Sequence, residues 1–240
     1  MNKPNITMFF PAYNEEGNIK NLVKDAEKVL KEAANKHEII IVLYEGSTDN
    51  TKTIVKELIK KNKNIRLVMQ PRKFKGVGYA IKMGFEAAKY DLIFYADSDN
   101  QFDLNEFKLL LPYAKDYDVI AGYRISRKDP LTRIWVSKIY NMIIKAVFNL
   151  KGRDFDCAFR LVKKKIFKTI KLQCKTGLAT SELLIKARRD SYKVKHIGVH
   201  HFQRYSGVSV FEQKGFSIPK VSVISEIVKE ILSLKKQVKK

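Results

Sequence analysis

The stretch at 92–101 reads Leu92-Ile93-Phe94-Tyr95-Ala96-Asp97-Ser98-Asp99-Asn100-Gln101. Its first five residues are apolar and uncharged, which predicts a strand buried on both faces of a sheet. If the backbone stays extended beyond this strand, side-chain alternation places Asp97, Asp99 and Gln101 on one side. Three oxygen ligands on one side suit Mg²⁺ or Mn²⁺, which bind carboxylates together with the oxygens of a bound phosphate.

A polar turn after a core strand is the alternative interpretation of the same residues. Asp-x-Asp is a short motif, and short motifs also match by chance. The choice between a metal site and a plain turn therefore depends on the other motifs of the chain.

The first half of the chain alternates strand-like and helical segments. Strands are predicted at 6–10, 38–43, 65–69, 92–96 and 119–122, with Pro11 ending the first. Helices are predicted between them, beginning near Asn14, after Asp49, after Gly78 and at Leu104. This alternation is typical of right-handed βαβ units, so the predicted fold class is α/β with a mostly parallel central sheet flanked by helices. In such sheets ligands bind beyond the carboxyl ends of the strands, where the Asp97 motif lies.

Composition limits the class of protein and of partner. The 240 residues are 45% hydrophobic, which suits one α/β domain with a sizeable core. Lys and Arg number 47 against 25 Asp and Glu, a net charge of +22, so anionic partners are expected: nucleic acid, phosphorylated ligands or an acidic membrane surface. Cys157 and Cys174 are too few for a disulfide framework and lack zinc-site spacing, which favours a reducing cytoplasm. We expect no signal peptide and no transmembrane helix.

Two stretches of the second half have amphipathic patterns. In the segment 131–150 the polar residues recur every four positions on an otherwise apolar helix: Arg133, Ser137, Asn141 and Lys145. A buried core helix and a membrane-contacting helix both fit that pattern. The segment 218–234 is also amphipathic and leads into a lysine-rich end. It fits either a helix on an anionic membrane surface or a closing helix with a solvated tail.

Seven motifs resemble, in their order, those of family 2 glycosyltransferases with the GT-A fold. They are Pro11-Ala12-Tyr13-Asn14-Glu15-Glu16, Glu45-Gly46-Ser47-Thr48-Asp49-Asn50-Thr51, Lys75-Gly76-Val77-Gly78, Asp97-Ser98-Asp99-Asn100-Gln101, Gly122-Tyr123-Arg124, Asp154-Phe155-Asp156-Cys157-Ala158-Phe159-Arg160 and His201-Phe202-Gln203-Arg204-Tyr205-Ser206-Gly207-Val208-Ser209. The chain looks most like the polyprenyl-phosphate sugar transferases of the dolichol-phosphate mannosyltransferase type. This resemblance implies a catalytic domain at 1–215 that contains an acceptor and membrane-interface helix at 131–150, followed by a basic amphipathic helix at 216–240.

The resemblance also assigns residues to a nucleotide-sugar donor. Six residues match nucleotide-binding positions: Pro11, Tyr13, Glu15, Glu45, Lys75 and Ser98. Asp97, Asp99 and Gln101 match the site for Mg²⁺ or Mn²⁺ and the diphosphate. One departure is that Tyr44-Glu45-Gly46-Ser47 stands where the family usually has Asp-Asp-Gly-Ser. Glutamate keeps the acceptor charge on a longer arm, so we expect donor binding to survive while the choice of base stays open.

The acceptor side is assigned in the same way. Arg124, Arg133 and Ser137 resemble an acceptor-phosphate pocket, and Arg204 and Ser209 lie in a segment that closes over the donor phosphates. The residues implied to be catalytic are Asp97, Asp99, Arg124 and Arg204.

The implied activity is inverting, metal-dependent transfer of a hexose from a GDP-mannose or UDP-glucose type of donor to a polyprenyl or dolichyl phosphate. The protein would be peripheral, on the cytoplasmic side of the membrane. A lipid phosphate is mostly ionised at neutral pH and can attack without a general base. Cations on two residues, Arg124 and Arg133, would orient it, because guanidinium groups match phosphate oxygens.

Two other functions remain open. A saccharide hydroxyl acceptor needs a base, and Glu182 is the candidate, although a glutamate near a helix start is commonplace. Nucleic-acid binding is suggested by charge alone, without a recognition motif or an aromatic stacking platform, so we expect no nucleic acid partner.

Overall fold

The computed structural model describes residues 3–204 and 221–238. Its strands are β1 (Ile6–Ala12), β2 (His37–Tyr44), β3 (Ile65–Gln70), β4 (Leu92–Ala96), β5 (Val119–Ile125), β6 (Phe159–Lys163) and β7 (Val194–His200). Its α-helices are α1 (Ile19–Ala33), α2 (Thr51–Lys61), α3 (Val77–Ala87), α4 (Phe107–Leu110), α5 (Leu131–Phe148), α6 (Leu178–Arg189) and α7 (Val221–Val238). Short 3₁₀ turns precede and follow α4, where a single helix was predicted.

The strands form one sheet in the order β3-β2-β1-β4-β6-β5-β7. The pairs β1–β2, β2–β3, β1–β4 and β5–β7 are parallel, while β6 runs antiparallel to both β4 and β5. The predicted mostly parallel sheet is therefore confirmed. The chain proceeds outward from β1 through β2 to β3 and then returns to the other side of β1 as β4. The carboxyl ends of β1 and β4 thus flank the crevice in which α/β sheets bind ligands.

Alternate residues of the central strands supply two cores, one on each face of the sheet. Phe10 and Phe94 lie in the core on one side, and Phe9 and Tyr95 lie in the core on the other. The Phe9 and Tyr95 rings stack at 5.3 Å, which ties β1 to β4 directly. Both strands are thereby fixed next to the crevice.

Strand β1 continues through Pro11 to Ala12, so the predicted end at Pro11 is wrong. Proline lacks an N–H, which disrupts a strand only where a neighbour needs that donor. The pairing of β1 with β4 already ends at Phe9, whereas its pairing with β2 runs on to Ala12. The Pro11 carbonyl accepts a hydrogen bond from Ser98 Oγ at 2.7 Å instead.

Helix α1 begins at Ile19, five residues after the predicted start at Asn14. Asn14 has a left-handed backbone with φ of 53°, which asparagine tolerates better than most residues. The residues between them bond to the loop before α2 and are not available for the first helical turn.

Helix α5 confirms the helix predicted at 131–150, but its polar side faces the protein. Ser137 is buried and Asn141 is half-buried, while Leu131 and Trp135 are 74% and 62% exposed. The interpretation of this segment as a buried core helix is therefore wrong. Strands β6 and β7 and most of α6 were not predicted. None of the helices in the described ranges is both long and apolar enough to cross a bilayer.

Candidate active site

The acidic pair lies directly after β4, at the crevice beside β1. Asp97 is open to solvent, whereas Asp99 is buried. Desolvation by the surrounding protein, followed by the charge of the neighbouring Asp99, raises the pKa of Asp97, although Arg124, Arg133 and Arg204 act in the opposite direction. The pair therefore forms a concentration of negative charge that a cation would relieve.

The backbone does not stay extended after β4, so the condition for placing Asp97, Asp99 and Gln101 on one side by strand alternation is not met. Asn100 adopts a left-handed conformation with φ of 57°, and the Gln101 N–H donates to Asp99 Oδ1 at 3.2 Å. A side-chain oxygen that accepts from a backbone N–H two residues later is typical of aspartate turns. The turn, and not strand alternation, sets the directions of the side chains.

Residues 201–204 return to the same turn. Gln101 Nε2 donates to the Phe202 carbonyl at 3.0 Å, and the Phe202 N–H donates to the Gln101 carbonyl at 2.8 Å. Arg204 Nη2 donates to Asp99 Oδ2 at 2.9 Å, and its Nη1 lies 3.8 Å from Glu15 Oε1. Arg204 thus lies where the sequence placed it, against the acidic pair. Ser209 lies outside the described residues.

The side-chain oxygen atoms of this turn fit a hard divalent cation. Within 3–204 and 221–238, no hydrogen bond occupies the Asp97 carboxylate, and the buried Gln101 Oε1 has no hydrogen-bond partner. No group of three His, Cys, Asp or Glu side chains with metal-site geometry occurs in those ranges. Two carboxylates and an amide oxygen are nonetheless an oxygen set that Mg²⁺ accepts when phosphate and water complete its shell.

An aromatic surface lies at the carboxyl ends of β1 and β2. Tyr13 is 43% exposed, and its ring centroid lies 5.8 Å from that of Tyr44. Adjacent strands are about 4.8 Å apart, so this surface lies one to two strands from the acidic pair after β4. A ligand with an anionic group at one end and a planar ring at the other fits that separation.

The loops before α1 and α2 are joined by side-chain caps. The Glu15 N–H donates to Thr51 Oγ1 at 2.8 Å, and the Glu16 N–H donates to Asp49 Oδ2 at 2.9 Å. Asn18 donates to Glu15 Oε2 at 2.6 Å, while burial raises the pKa of Glu15. These bonds hold Glu15 beside Arg204 at the floor of the crevice.

Tyr44 and Glu45, which depart from the family pattern, both bind the backbone of Arg72. The Tyr44 hydroxyl donates to the Arg72 carbonyl at 3.2 Å, and Glu45 Oε2 accepts from the Arg72 N–H at 3.2 Å. Glu45 and Lys75 are exposed. The departure therefore anchors the loop between β3 and α3, which carries Lys75.

Arg124 is held by two carboxylates that precede β6. Its Nε donates to Asp154 Oδ2 at 2.8 Å and its Nη2 donates to Asp156 Oδ2 at 2.7 Å. Burial opposes ionisation of Asp156, but Arg124 and Asn141 hold the pKa of Asp156 well below its ordinary value. Most donors of Arg124 are thus used within the protein.

A second guanidinium group lies nearer to solvent on the same side. Arg133 is paired with Asp129 at 3.2 Å and its side chain is 26% exposed. Arg127 Nη1 donates to Ser137 Oγ at 2.9 Å. Arg124, Arg133 and Ser137 therefore lie in one polar cluster, and Arg133 is its more accessible cation.

A family model described as "Glycosyl transferase family 2" matches residues 7–171. The chain belongs to this family. The seven motifs therefore identified the family correctly.

Curated relatives of this glycosyltransferase include two undecaprenyl-phosphate 4-deoxy-4-formamido-L-arabinose transferases. The protein from Pseudomonas fluorescens is 27% identical over 208 residues, covering 86% of this chain and 60% of the relative. The one from Pectobacterium carotovorum is 29% identical over 209 residues, covering 86% of this chain and 62% of the relative. The chain thus spans about 60% of the length of these relatives.

Solved structures with a similar fold include glucosyl-3-phosphoglycerate synthase from Mycobacterium tuberculosis. Its complex with Mn²⁺, uridine diphosphate and phosphoglyceric acid has a TM-score of 0.69 at 16% identity, covering 95% of this chain and 78% of that chain. Its complex with Mg²⁺ and uridine diphosphate has a TM-score of 0.65 at 16% identity, covering 95% and 79%. The predicted GT-A fold of the glycosyltransferase is confirmed.

Glu182 of the glycosyltransferase, the candidate base, is fully buried in α6. Its carboxylate accepts from the N–H groups of Gln173 and Cys174 at 3.0 and 2.8 Å. It also pairs with Lys186 Nζ at 2.6 Å. Each carboxylate oxygen of Glu182 is therefore engaged with the protein itself.

From the sequence, Asp154 and Asp156 were expected to order either Arg160 or the acceptor loop, and the structure shows that both carboxylates bond Arg124. A repeated Asp-x-Asp spacing was the available signal. Arg160 in the same motif is fully buried and donates to carbonyl groups, including those of Cys157 at 3.0 Å and Phe155 at 2.6 Å. The two carboxylates thus serve Arg124 of the glycosyltransferase and not Arg160.

Proposed function

We propose that this glycosyltransferase moves a hexose, with inversion, from a nucleoside-diphosphate sugar to a polyprenyl or dolichyl phosphate. The donor is of the GDP-mannose or UDP-glucose type, and the protein works as a peripheral protein at the cytoplasmic face of a membrane. Relatives named as undecaprenyl-phosphate transferases support this acceptor class. The observation that carries the proposal is that α5 turns large apolar side chains toward solvent and the polar Ser137 and Asn141 toward the protein.

The outer face of α5 is a stripe of large apolar side chains. Its exposed members are Leu131, Trp135, Ile139, Met142 and Ile143. The Lys138 ammonium lies 5.1 Å from the centroid of the Trp135 ring. A helix with apolar residues outward and a lysine beside an aromatic ring suits the boundary between headgroups and acyl chains. The isoprenoid chain of the proposed acceptor would lie at the same boundary.

The inner face of α5 carries the polar cluster. Arg133 and Ser137 lie on this side of the helix, and the charges of Arg124 and Arg133 act on the pKa of Asp97. A phosphate that passes the edge of α5 would therefore meet guanidinium groups within electrostatic reach of the acidic pair. This proximity supports an acceptor whose apolar tail stays in the membrane while its phosphate reaches the crevice.

On the donor side, Asp97, Asp99 and Gln101 would hold Mg²⁺ or Mn²⁺. When bound, the cation neutralises charge on the diphosphate of the donor. Arg204 places a further positive charge beside Asp99, and Lys75 presents an exposed ammonium on the loop before α3. Fixed cations around a departing phosphate stabilise the charge that develops there.

The remaining donor contacts follow the ends of β1 and β2. Pro11, Tyr13, Glu15, Glu45 and Ser98 form the nucleotide side of the crevice in this proposal. Tyr13 offers a ring face that can stack on a base. The anchoring of Glu45 to Arg72 leaves the identity of the base to be measured.

A phosphate acceptor needs no general base, because it is already ionised at neutral pH. The burial of Glu182 and its engagement by two N–H groups and Lys186 support such an acceptor over a saccharide hydroxyl. Residues 1–215 would form the catalytic domain. The segment 216–240 would add a second basic, amphipathic contact with an anionic membrane surface.

The test is transfer of radiolabel from each nucleotide sugar to polyprenyl phosphate in anionic vesicles. We expect Asp99→Ala and EDTA each to reduce transfer at least about a hundredfold. Asp25→Ala, which removes an exposed carboxylate from α1, is the matched control and should leave transfer unchanged. Undiminished transfer after both treatments would refute the metal role. Transfer to a saccharide hydroxyl without any transfer to the lipid would refute the acceptor.

A further inference from the structure

Two glutamates from different helices converge on the segment 173–176. Glu182 of α6 accepts from the N–H groups of Gln173 and Cys174. Glu230 of α7 accepts from the Lys175 N–H at 2.6 Å and from the Thr176 hydroxyl at 2.6 Å. Short bonds to ionised carboxylates are among the stronger ones in proteins. Every residue of this short segment is thus held by one of the two carboxylates.

The other side of the segment 173–176 supports the start of α3. The Gly78 N–H donates to the Lys175 carbonyl at 2.9 Å. A Cβ at Gly76 would lie 2.3 Å from the Lys175 carbonyl oxygen, and a Cβ at Gly78 would lie 2.2 Å from that of Cys174. Gly76 also has a φ of 129°. The two glycines therefore permit a contact that no larger residue allows.

Lys75 immediately precedes this contact. Its ammonium is exposed, and no ion pair occupies it in the part of the chain that the structure describes. The backbone on its carboxyl side is fixed through Gly76 and Gly78 to the segment 173–176, and Gln70 Nε2 donates to the Gly76 carbonyl at 2.9 Å. The segment 173–176 therefore fixes the backbone after Lys75, just as the bonds of Tyr44 and Glu45 to Arg72 fix the backbone before it.

We propose that Glu182 and Glu230 are positioning residues that hold the segment 173–176 in place. This segment supports the loop between β3 and α3 and thereby directs Lys75 at the donor diphosphate. This inference rests on the proposed function, because it uses the role assigned there to Lys75. It gives Glu182 a task other than that of a base. It also makes α7, which lies more than 140 residues from Lys75 in the chain, part of the donor site.

The test compares Glu230→Gln with Glu226→Gln in the full chain. Glu226 lies one turn earlier on α7 and is exposed, so its substitution makes the same change of charge without the contact. We expect Glu230→Gln to raise the KM for the nucleotide sugar and the Kd for the free nucleoside diphosphate about tenfold. The KM for the lipid acceptor should stay within about twofold of the unsubstituted protein. Glu226→Gln should change none of these constants.

A double-substitution cycle separates positioning from general loss of structure. If the effect passes through Lys75, Glu230→Gln should weaken donor binding little further in a Lys75→Ala background. Full additivity of the two substitutions would overturn the proposal, as would equal donor constants for Glu230→Gln and Glu226→Gln.

Thr176→Val provides a second variant should Glu230→Gln fold poorly. It removes one of the two bonds to Glu230 and should raise the donor KM severalfold with the acceptor KM unchanged. An unchanged donor KM in Thr176→Val would overturn the proposal. If the unsubstituted protein neither binds nucleotide nor transfers sugar, the proposed function itself fails; normal transfer with unresponsive variants rejects only this inference.

Discussion

Helices α1 and α5 have similar lengths, but α1 turns its apolar stripe toward the protein and α5 turns its apolar stripe toward solvent. α1 has 15 residues and buries its apolar stripe against the sheet, with charged residues outward. α5 has 18 residues and exposes its apolar stripe, with Ser137 and Asn141 facing the carboxylates before β6. The environment supplied by other segments decides which side of an amphipathic helix turns inward. On α1 that environment is an apolar sheet. On α5 the network around Arg124 holds Ser137 and Asn141, and Ile144 packs inward against the apolar core.

The largest difference between the two helices should appear in stability. Leu30→Ala on α1 should reduce the free energy of unfolding by about 2–5 kcal/mol, because Leu30 is fully buried and leaves a cavity. Met142→Ala on α5 should change it by no more than about 0.5 kcal/mol, because Met142 is 63% exposed. Urea unfolding of both variants measures the difference. Equal losses would show that α5 is covered in solution.

Substitutions on opposite sides of α5 sharpen the comparison. Asn141→Leu should cost about 1–3 kcal/mol, because Asn141 bonds Asp156 Oδ1 and the Phe155 N–H, each at 2.6 Å. Its matched partner is Ile143→Asn, at a position 42% exposed, which should be close to neutral. The usual rule, by which polar substitutions harm a helix more than apolar ones, would then be reversed. A larger loss of unfolding free energy for Ile143→Asn than for Asn141→Leu would contradict the exposure of the apolar side of α5.

Membrane contact should depend on α5 and not on exposed apolar residues in general. Trp135→Ser should weaken binding to phosphatidylglycerol vesicles about tenfold, since a large, mostly exposed apolar side chain is lost. Leu109→Ser makes a similar change at a position 49% exposed on α4 and serves as the control. Flotation with increasing vesicle concentration gives both affinities. An equal effect at the two positions would mean that exposed apolar residues contribute in general, without a special role for α5.

Acid should weaken the second half of the sheet. Burial, followed by the charges of Arg160 and Arg188, lowers the pKa of His196 in β7 from 6.5 to about 4. The unfolded chain binds this proton near pH 6.5 and the folded chain only near pH 4, so the stability due to the neutral ring is lost as the pH falls between these values. From about pH 7 to about pH 5.5 the loss is about 1.2 kcal/mol. His196→Leu should have a shallower dependence in urea unfolding over that range; an unchanged slope would assign the dependence to other groups.

The first half of the fold could be predicted because each strand there is a short apolar run followed by turn residues. The prediction of β4 at 92–96 agrees with the structure, and the parallel order follows from the alternation of strands and helices. The boundaries at Pro11 and Asn14 could not be predicted, because they depend on where β4 stops pairing and on bonds to the loop before α2. Sequence periodicity carries neither fact.

The site was predicted in its residue types more than in its contacts. The sequence identified Asp97, Asp99 and Arg204 as neighbours through family resemblance, and the structure places them together. Arg124 is paired with Asp154 and Asp156, which lie 30 and 32 positions later in the chain. The carboxylate of Glu182 is occupied by the N–H groups of Gln173 and Cys174, which lie 9 and 8 positions earlier. The contacts of Ser137 and Asn141 with Asp156 turn the apolar side of α5 outward. The sequence of α5 alone does not contain these contacts and therefore left two interpretations.

Because β6 runs antiparallel to β5, the segment 126–158 between them is an insertion that could be exchanged. It departs from the end of β5 and re-enters at the start of β6, two strands that are hydrogen-bonded neighbours in the sheet. An inserted segment whose two ends lie on neighbouring strands can be replaced without altering the path of the first half of the chain. If the proposed function holds, replacement of this segment would change which acceptor is recognised, while most of the residues proposed to bind the nucleotide sugar lie outside it.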